Sequence, residues 1–285
     1  MTHQQIEVRP ITASMGAEIF GVDLSQPLSD TEFEPIHQAL LEHIFIAFRD
    51  QTLDPEQFAQ FGERFGELEH ETFIPELEGY GDRHLHKFRG HEADQTQDLG
   101  WHVDHSYRTK PSMGAGLYCI DVPDAGADTL FANMYDAYDT LSDSMKVIIE
   151  DMRGVHDVLH YSMQLEAFFP LDKPKTFGVL GKMREHLPRV THPLVCTHPE
   201  TGRKFLYVNP RWMIGIEGLA KEESRGILNV LFEHAVQPRF QCRFRWQNGT
   251  LGMWDNRCVV HSGVPDYMGK RYMWRYAVGG TWDPE

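Results

Sequence analysis

The segment RFQCRFRWQNGTLGMWDN, Arg239 to Asn256, constrains the fold more than any other stretch of the chain. Phe240, Cys242, Phe244 and Trp246 alternate with Gln241, Arg243 and Arg245. A period of two places the apolar set on a buried face and the polar set on the opposite one. Asn248-Gly249 then reads as a tight turn returning the chain as a hairpin. A further hairpin is expected around Pro199-Glu200-Thr201-Gly202, and a last strand, KRYMWRYAV, follows Gly269. Strand-like runs are also expected near residues 17–22, 44–49, 116–122 and 129–133. Helices are few: one near 30–44, one opened by Asp54-Pro55, and one over 137–152. Hairpins in both halves with few long helices predict a mainly β fold with flanking helices, a β-sandwich or jelly roll, rather than βαβ units.

In PEQFAQFGERFGE, Phe58, Phe61 and Phe65 are spaced by three and four, which marks one buried helix face. The segment 159–188 mixes Pro, Gly, Lys and Met without a sustained period, and a stretch of that length without regular structure suits a lid or binding loop. No internal repeat or linker interrupts the chain, so one domain over 1–285 is expected. Its 285 residues, 41% of them hydrophobic, suffice for a sizeable core.

The formal net charge of -15 argues against a nucleic-acid partner, since a polyanion would be repelled and no Lys/Arg cluster relieves the repulsion. No apolar run approaches the roughly 20 residues of a membrane span. The N-terminus MTHQQIEVRP has neither the basic nor the apolar region of a secretory signal. Cys119, Cys196, Cys242 and Cys258 lie far apart and form no Cys-x-x-Cys pair. A reduced, cytoplasmic chain with buried thiols is expected.

The candidate chemistry begins with GWHVDHSYRTKPS, where His102 and Asp104 stand two residues apart. On a strand, residues i and i+2 face the same way, about 6.8 Å apart, so both can reach one ion. Two histidines and one carboxylate form a facial triad that leaves three positions of Fe(II) open, enough for a bidentate cosubstrate and dioxygen. His198-Pro199-Glu200 matches the same pattern but falls in a turn, where its side chains are expected to be solvated and splayed. His261, ending an apolar strand, is the remote third ligand. Arg271 and Arg275 follow with equal parity on a further strand, about 13–14 Å apart by strand rise. One can then grip the far carboxylate of a five-carbon diacid through its planar fork while the other reaches toward the metal.

The order WHVD, GADTLFANMYDAYDTLS, THPETGRKFLYVN, WDNRCVVH and KRYMWR closely resembles the taurine/2-oxoglutarate dioxygenase family, which includes the 2,4-dichlorophenoxyacetate dioxygenases. The likeness runs from GAEIFGVDLSQPLSD through RFGELE to the final strand. It implies a double-stranded β-helix, the cupin-like jelly roll, in a homo-oligomer. It also implies that His102, Asp104 and His261 bind Fe(II), with 2-oxoglutarate and dioxygen as cosubstrates. Thr129 and Arg271 would hold the distal carboxylate of 2-oxoglutarate, and Arg275 would face an anionic substrate or the near carboxylate.

Departures from the pattern bear on the substrate. Where taurine enzymes carry a sulfonate-contacting histidine, this chain has Glu71, with His70 one place earlier, and Asp98 replaces an asparagine. Negative charge there disfavours taurine itself. Trp212 falls where the family places an aromatic pocket wall and, with Phe73, Val103, Tyr107 and Trp101, would suit a larger or aromatic small molecule. The expected enzyme hydroxylates a small, anionic organic substrate such as a sulfonate, sulfate ester or aryloxy acid. A Zn-dependent hydrolase would not need the paired arginines, and a halogenase would need the position that Asp104 fills vacated. A non-catalytic metal-binding β-sandwich is the remaining alternative.

Overall fold

The computed structural model describes residues 6–70, 76–90, 100–160 and 187–285. Its largest sheet is built from β1 (Glu7–Pro10), β2 (Ala17–Phe20), β3 (Phe45–Phe48), β4 (Leu68–Glu69), β5 (His86–Gly90), β6 (Gly114–Asp121), β14 (Leu251–Asp255) and β16 (Arg271–Val278). The strand order is β1-β2-β3-β14-β6-β16-β4, with β5 also pairing with β16. A smaller sheet places β7 (Thr129–Asn133) between β13 (Gln241–Phe244) and β15 (Val259–Gly263), both antiparallel to it.

The alternation in each strand shows how the two sheets meet. Phe45 and Ala47 of β3, Trp254 of β14, Leu117 and Cys119 of β6, and Met273 of β16 share one core with Phe131 of β7 and with Cys242 and Phe244 of β13. Phe45 stacks on Phe131 with ring centroids 4.3 Å apart and meets Phe244 edge-on at 4.8 Å. The intervening residues, Ile46 and Phe48, Leu251 and Met253, Tyr276 and Val278, point to the opposite face. There they pack with Ile36 and Leu40 of α1 (Asp30–His43) and Phe58 and Phe61 of α2 (Pro55–Glu63). Gly116 is needed at this second interface, because a Cβ there would run into the Tyr276 ring. This sheet pair with one helix-covered face is the jelly roll expected from the sequence.

The remaining elements sit around this frame. Strands β8 (Arg153–His156), β9 (Val190–Pro193) and β12 (Met213–Ile216) form a third sheet. The hairpin expected around 199–202 is present as β10 (Val195–Thr197) and β11 (Lys204–Leu206). The helix α5 (Lys221–Ala235) packs near β12.

Two expectations change. The Asn248-Gly249 turn does not close a hairpin: β13 pairs with β7, whereas β14 pairs with β3 and β6. The turn carries the chain from one sheet to the other because its own polar groups are taken by β6. Gly249 N–H donates to Cys119 O at 2.9 Å, and Asn248 Oδ1 accepts from Val122 N–H at 3.1 Å. The single helix expected over 137–152 is two, α3 (Met134–Asp139) and α4 (Asp143–Ile149). Asn133 caps the first through Tyr135 N–H and Asp136 N–H, and the Ser142 hydroxyl accepts Met145 N–H to start the second. Short polar side chains compete for backbone partners and reset the helix at that point.

The stacked pair between the sheets yields a stability prediction. Phe45→Ala removes a fully buried ring from the inter-sheet core, at an expected cost of about 3–5 kcal/mol. Urea unfolding of the two proteins measures it, and a loss below about 1 kcal/mol would show that the sheets do not depend on this contact.

Candidate metal centre

β15 brings His261 to the inner face of the smaller sheet, directly opposite Phe131 of β7. The segment carrying His102 docks on that strand through two reciprocal backbone hydrogen bonds, His102 N–H to His261 O and His261 N–H to His102 O, each 2.9 Å. The imidazoles consequently lie with centroids 4.2 Å apart. Asp104 joins them, its Oδ1 3.6 Å from His102 Nε2 and its Oδ2 3.6 Å from His261 Nε2. One ligand atom from each of the three side chains lies within 4.8 Å of the others.

The donor chemistry fits a divalent metal. His102 Nδ1 lies 2.8 Å from the Gly100 carbonyl, so Nδ1 carries the hydrogen and Nε2 presents its lone pair to the site. Burial, then the nearby His261 and Arg211, holds the His102 pKa well below its ordinary value, so the ring is neutral as a ligand must be. Burial opposes ionisation of Asp104, but the Arg275 guanidinium, at 2.7 Å from Oδ2, together with His261, His102 and His105, outweighs it and holds the carboxyl below the usual carboxylate range. The neutral His102 imidazole, the His261 imidazole and one carboxylate thus share a desolvated space.

The two arginines occupy the face expected of them. In β16, Arg271, Met273 and Arg275 are buried while Tyr272 and Trp274 are partly exposed, and Met273 belongs to the inter-sheet core. Arg275 therefore points inward beside the triad, and Arg271 lies four residues, about 13 Å of strand, away. Asp128, next to Thr129 in sequence, is among the charges acting on Arg271. The Thr129 hydroxyl accepts from Trp246 Nε1 at 2.9 Å. Trp254 lies beside the triad, its ring 4.8 Å from that of His261 and 5.6 Å from the Arg275 guanidinium. Its indole N–H is buried without an acceptor among the described residues, so an acceptor must come from a bound molecule or water.

The expected substrate residues are placed unequally. Val103 is 2% exposed and packs in the inter-sheet core. Trp212 stands behind it, donating Nε1–H to the Val103 carbonyl at 3.1 Å and meeting Tyr107 edge-on at 4.9 Å. His70 is exposed, faces Glu76 at 3.4 Å and has its ring 5.4 Å from His86. His86 is fully buried and sits directly across from Arg275 in the sheet. Glu71, Phe73 and Asp98 lie outside the described residues, as does most of the segment 159–188.

One reading is corrected. His198 is not solvated: it is 1% exposed, and its Nε2 lies 3.0 Å from Asp255 Oδ2. Its Nδ1 accepts the backbone N–H groups of Glu200 and Thr201, so Nε2 carries the hydrogen. Arg257 takes both Asp255 oxygens, at 2.8 and 2.6 Å, and Glu200 turns away to Arg257 and His37. With Cys258 this cluster also has metal-ligand spacing, but its carboxylate and imidazole are spent on one another. Pro199, Glu200 and Gly202 of the turn are exposed as expected, but His198 is buried where the β10–β11 hairpin folds onto α3, an arrangement no local pattern specifies.

Residues invisible to pattern reading complete the site. The Asn209 carboxamide donates to Val103 O and to Ser106 Oγ, at 3.0 and 2.8 Å. Ser106 Oγ in turn lies 3.0 Å from Nδ1 of the fully buried His156. Isolated asparagines carry no periodic signal that would have marked them.

A jelly roll with two imidazoles and a carboxylate beside inward arginines is the architecture of a non-haem metal-dependent oxygenase. The model of the taurine catabolism dioxygenase TauD, TfdA family matches residues 7–277, and the chain belongs to that family. It is 33% identical over 283 residues to an (S)-phenoxypropionate/alpha-ketoglutarate-dioxygenase of Sphingobium herbicidovorans, covering 96% of this chain and 95% of the relative. An alkylsulfatase of Acinetobacter baylyi is 31% identical over 93% of this chain and 81% of its own. The solved structure of AAD-2 in complex with Mn(II) and N-oxalylglycine superposes with a TM-score of 0.80 at 28% identity, covering 99% and 100% of the two chains. The protein is accordingly an Fe(II)- and 2-oxoglutarate-dependent dioxygenase.

The buried imidazoles predict an acid limit to stability. Burial, then His192, keeps His156 neutral and its pKa well below the ordinary value. The unfolded chain takes up that proton below about pH 6.5, so the stabilisation is complete above that pH and is lost as pH falls. His156→Gln should flatten the decline between pH 6.5 and 5 by up to about 1.4 kcal/mol per pH unit. Unfolding midpoints across that range test it, and parallel curves for the two proteins would exclude His156 as a cause.

Proposed function

We propose that this dioxygenase hydroxylates a small anionic organic molecule, with His102, Asp104 and His261 as the Fe(II) ligands. The observation that carries the reading is the convergence of those three side chains next to the inward Arg275. Fe(II) held there, together with 2-oxoglutarate and dioxygen, supplies an oxidant able to hydroxylate an unactivated C–H bond. Where the hydroxylated carbon bears oxygen, nitrogen or sulfonate, the product collapses and that bond is cleaved.

The chain's own contribution is binding, orientation and exclusion of water. Arg271, with Thr129, grips the distal carboxylate of 2-oxoglutarate; a buried fork suits a carboxylate better than a flexible ammonium would. Arg275 draws the substrate's anionic group toward the triad, and since it also holds Asp104, it sets the distance between that group and the metal. His70 and the overlooked His86 extend the same wall. The relatives support this class by their names, one for a phenoxypropionate and one for an alkylsulfatase. Four buried free cysteines suit a reducing, cytoplasmic setting. No helix among the described residues is long and apolar enough to cross a membrane. The homo-oligomer implied by the family resemblance is a further part of this reading, which light scattering tests.

Succinate release with Fe(II), 2-oxoglutarate and a panel of sulfonates, sulfate esters and aryloxy acids tests the function. Stimulation by at least one acid is expected, and stimulation by neutral compounds alone would remove the anionic substrate. Asp104→Asn, which keeps an oxygen for Arg275 but loses the anionic ligand, should reduce succinate release to background while the protein stays folded. Near-normal turnover would dismiss the triad. Arg271→Ala should raise the 2-oxoglutarate requirement about 10–150-fold, the loss of roughly 1.5–3 kcal/mol from a charge-assisted pair, and Arg271→Lys should recover only part. An unchanged requirement in Arg271→Ala would place the cosubstrate elsewhere.

A further inference from the structure

Each residue of the His102-Val103-Asp104 segment is held by a different part of the protein. His102 is paired with β15 through backbone hydrogen bonds. The Val103 carbonyl is held by the Trp212 indole and the Asn209 carboxamide. Beyond the His102–His261 bridge the strand pairing ends, so nothing in the sheet fixes the peptide of Asp104. Its backbone is instead gripped by one side chain. Asn256 Oδ1 accepts Asp104 N–H at 3.1 Å, and Asn256 Nδ2 donates to Asp104 O at 2.8 Å.

A carboxamide that binds both polar groups of one residue reproduces what a neighbouring antiparallel strand offers in a hydrogen-bonded pair. Asn256 is itself immobile. It is fully buried, its own N–H donates to Met113 O at 2.9 Å, and Nδ2 also reaches Ser112 O at 3.4 Å. It stands in the turn between β14 and β15, five residues before His261 on the same run of chain. The turn that launches the His261 strand therefore also fixes the direction of the Asp104 side chain.

We propose that Asn256 is a positioning residue for the metal centre, substituting for a neighbouring strand at Asp104 and setting the aim of its carboxylate toward His102 and His261. The proposal rests on the reading of Asp104 as a metal ligand. Asn256 touches neither metal nor substrate and acts only through Asp104. Groups that orient metal ligands typically contribute 10–100-fold to metal affinity. Asparagine is required because both a donor and an acceptor are used: aspartate would supply only acceptors, and serine is one atom too short to span both bonds.

The test is Mn(II) affinity of the full chain, followed through the electron paramagnetic resonance of free Mn(II), for four proteins: wild type, Asn256→Ala, Asp104→Ala and the double variant. Asn256→Ala should weaken Mn(II) binding about 10–100-fold in the wild-type background. In the Asp104→Ala background it should change the residual affinity less than about twofold, because its only route to the metal is gone. Equal weakening in both backgrounds would assign Asn256 a general structural role and overturn the proposal. Wild-type affinity in a folded Asn256→Ala protein would overturn it as well. If Asn256→Ala does not fold, Asn256→Ser is read against the same two outcomes. An Asp104→Ala protein with undiminished Mn(II) affinity would instead remove the triad itself, a result separate from the behaviour of Asn256.

Discussion

The two reciprocal hydrogen bonds between the backbones of His102 and His261 close the site, because they bring together imidazoles 159 positions apart and fix their rings 4.2 Å from each other. This bridge adds one more rung to the smaller sheet at the point where its inner face looks across at β16. The carboxylate then arrives two residues later, and Arg275 reaches it from β16.

Desolvation gives the arrangement its chemistry. In water, His102 and Asp104 would be a weak pair of ligands with fluctuating protonation. Between two packed sheets the His102 imidazole is held neutral, and the carboxylate is held ionised because Arg275 and the surrounding histidines together outweigh its burial. A buried charge without a partner costs several kcal/mol, so Asp104, Arg275 and the anions that approach them form one electrostatic unit. The same burial makes the surrounding histidines acid-sensitive, and it leaves the Trp254 indole N–H without an acceptor among the described residues.

The supporting residues are more dispersed than the ligands. Asn209 and Trp212 follow β11, Asn256 follows β14, and His156 ends β8. All of them act on the short segment 102–106, through carbonyls, hydroxyls and one peptide. Loops alone would hold such a segment loosely; here the Val103 carbonyl, the Asp104 peptide and the Ser106 hydroxyl are each bonded by a side chain that is itself buried. The second metal-like cluster, His198 with Asp255, Arg257 and Glu200, belongs to this scaffold, since Asp255 and Arg257 flank Asn256 and brace its turn.

Much of this was legible in the chain itself. Period-two alternation determined which strand residues face inward, including the equal parity of Arg271 and Arg275, because parity is a local property of extended backbone. The spacing of His102 and Asp104, the phenylalanine stripe of α2 and the order of motifs were likewise written in local pattern. Only the tertiary structure decided that Asn248-Gly249 crosses between sheets, that His198 is buried, that His86 stands opposite Arg275, and that Asn256 grips Asp104. Each of these depends on which distant group happens to satisfy a polar atom, and hydrogen-bond partners far apart in sequence leave no periodic trace in it.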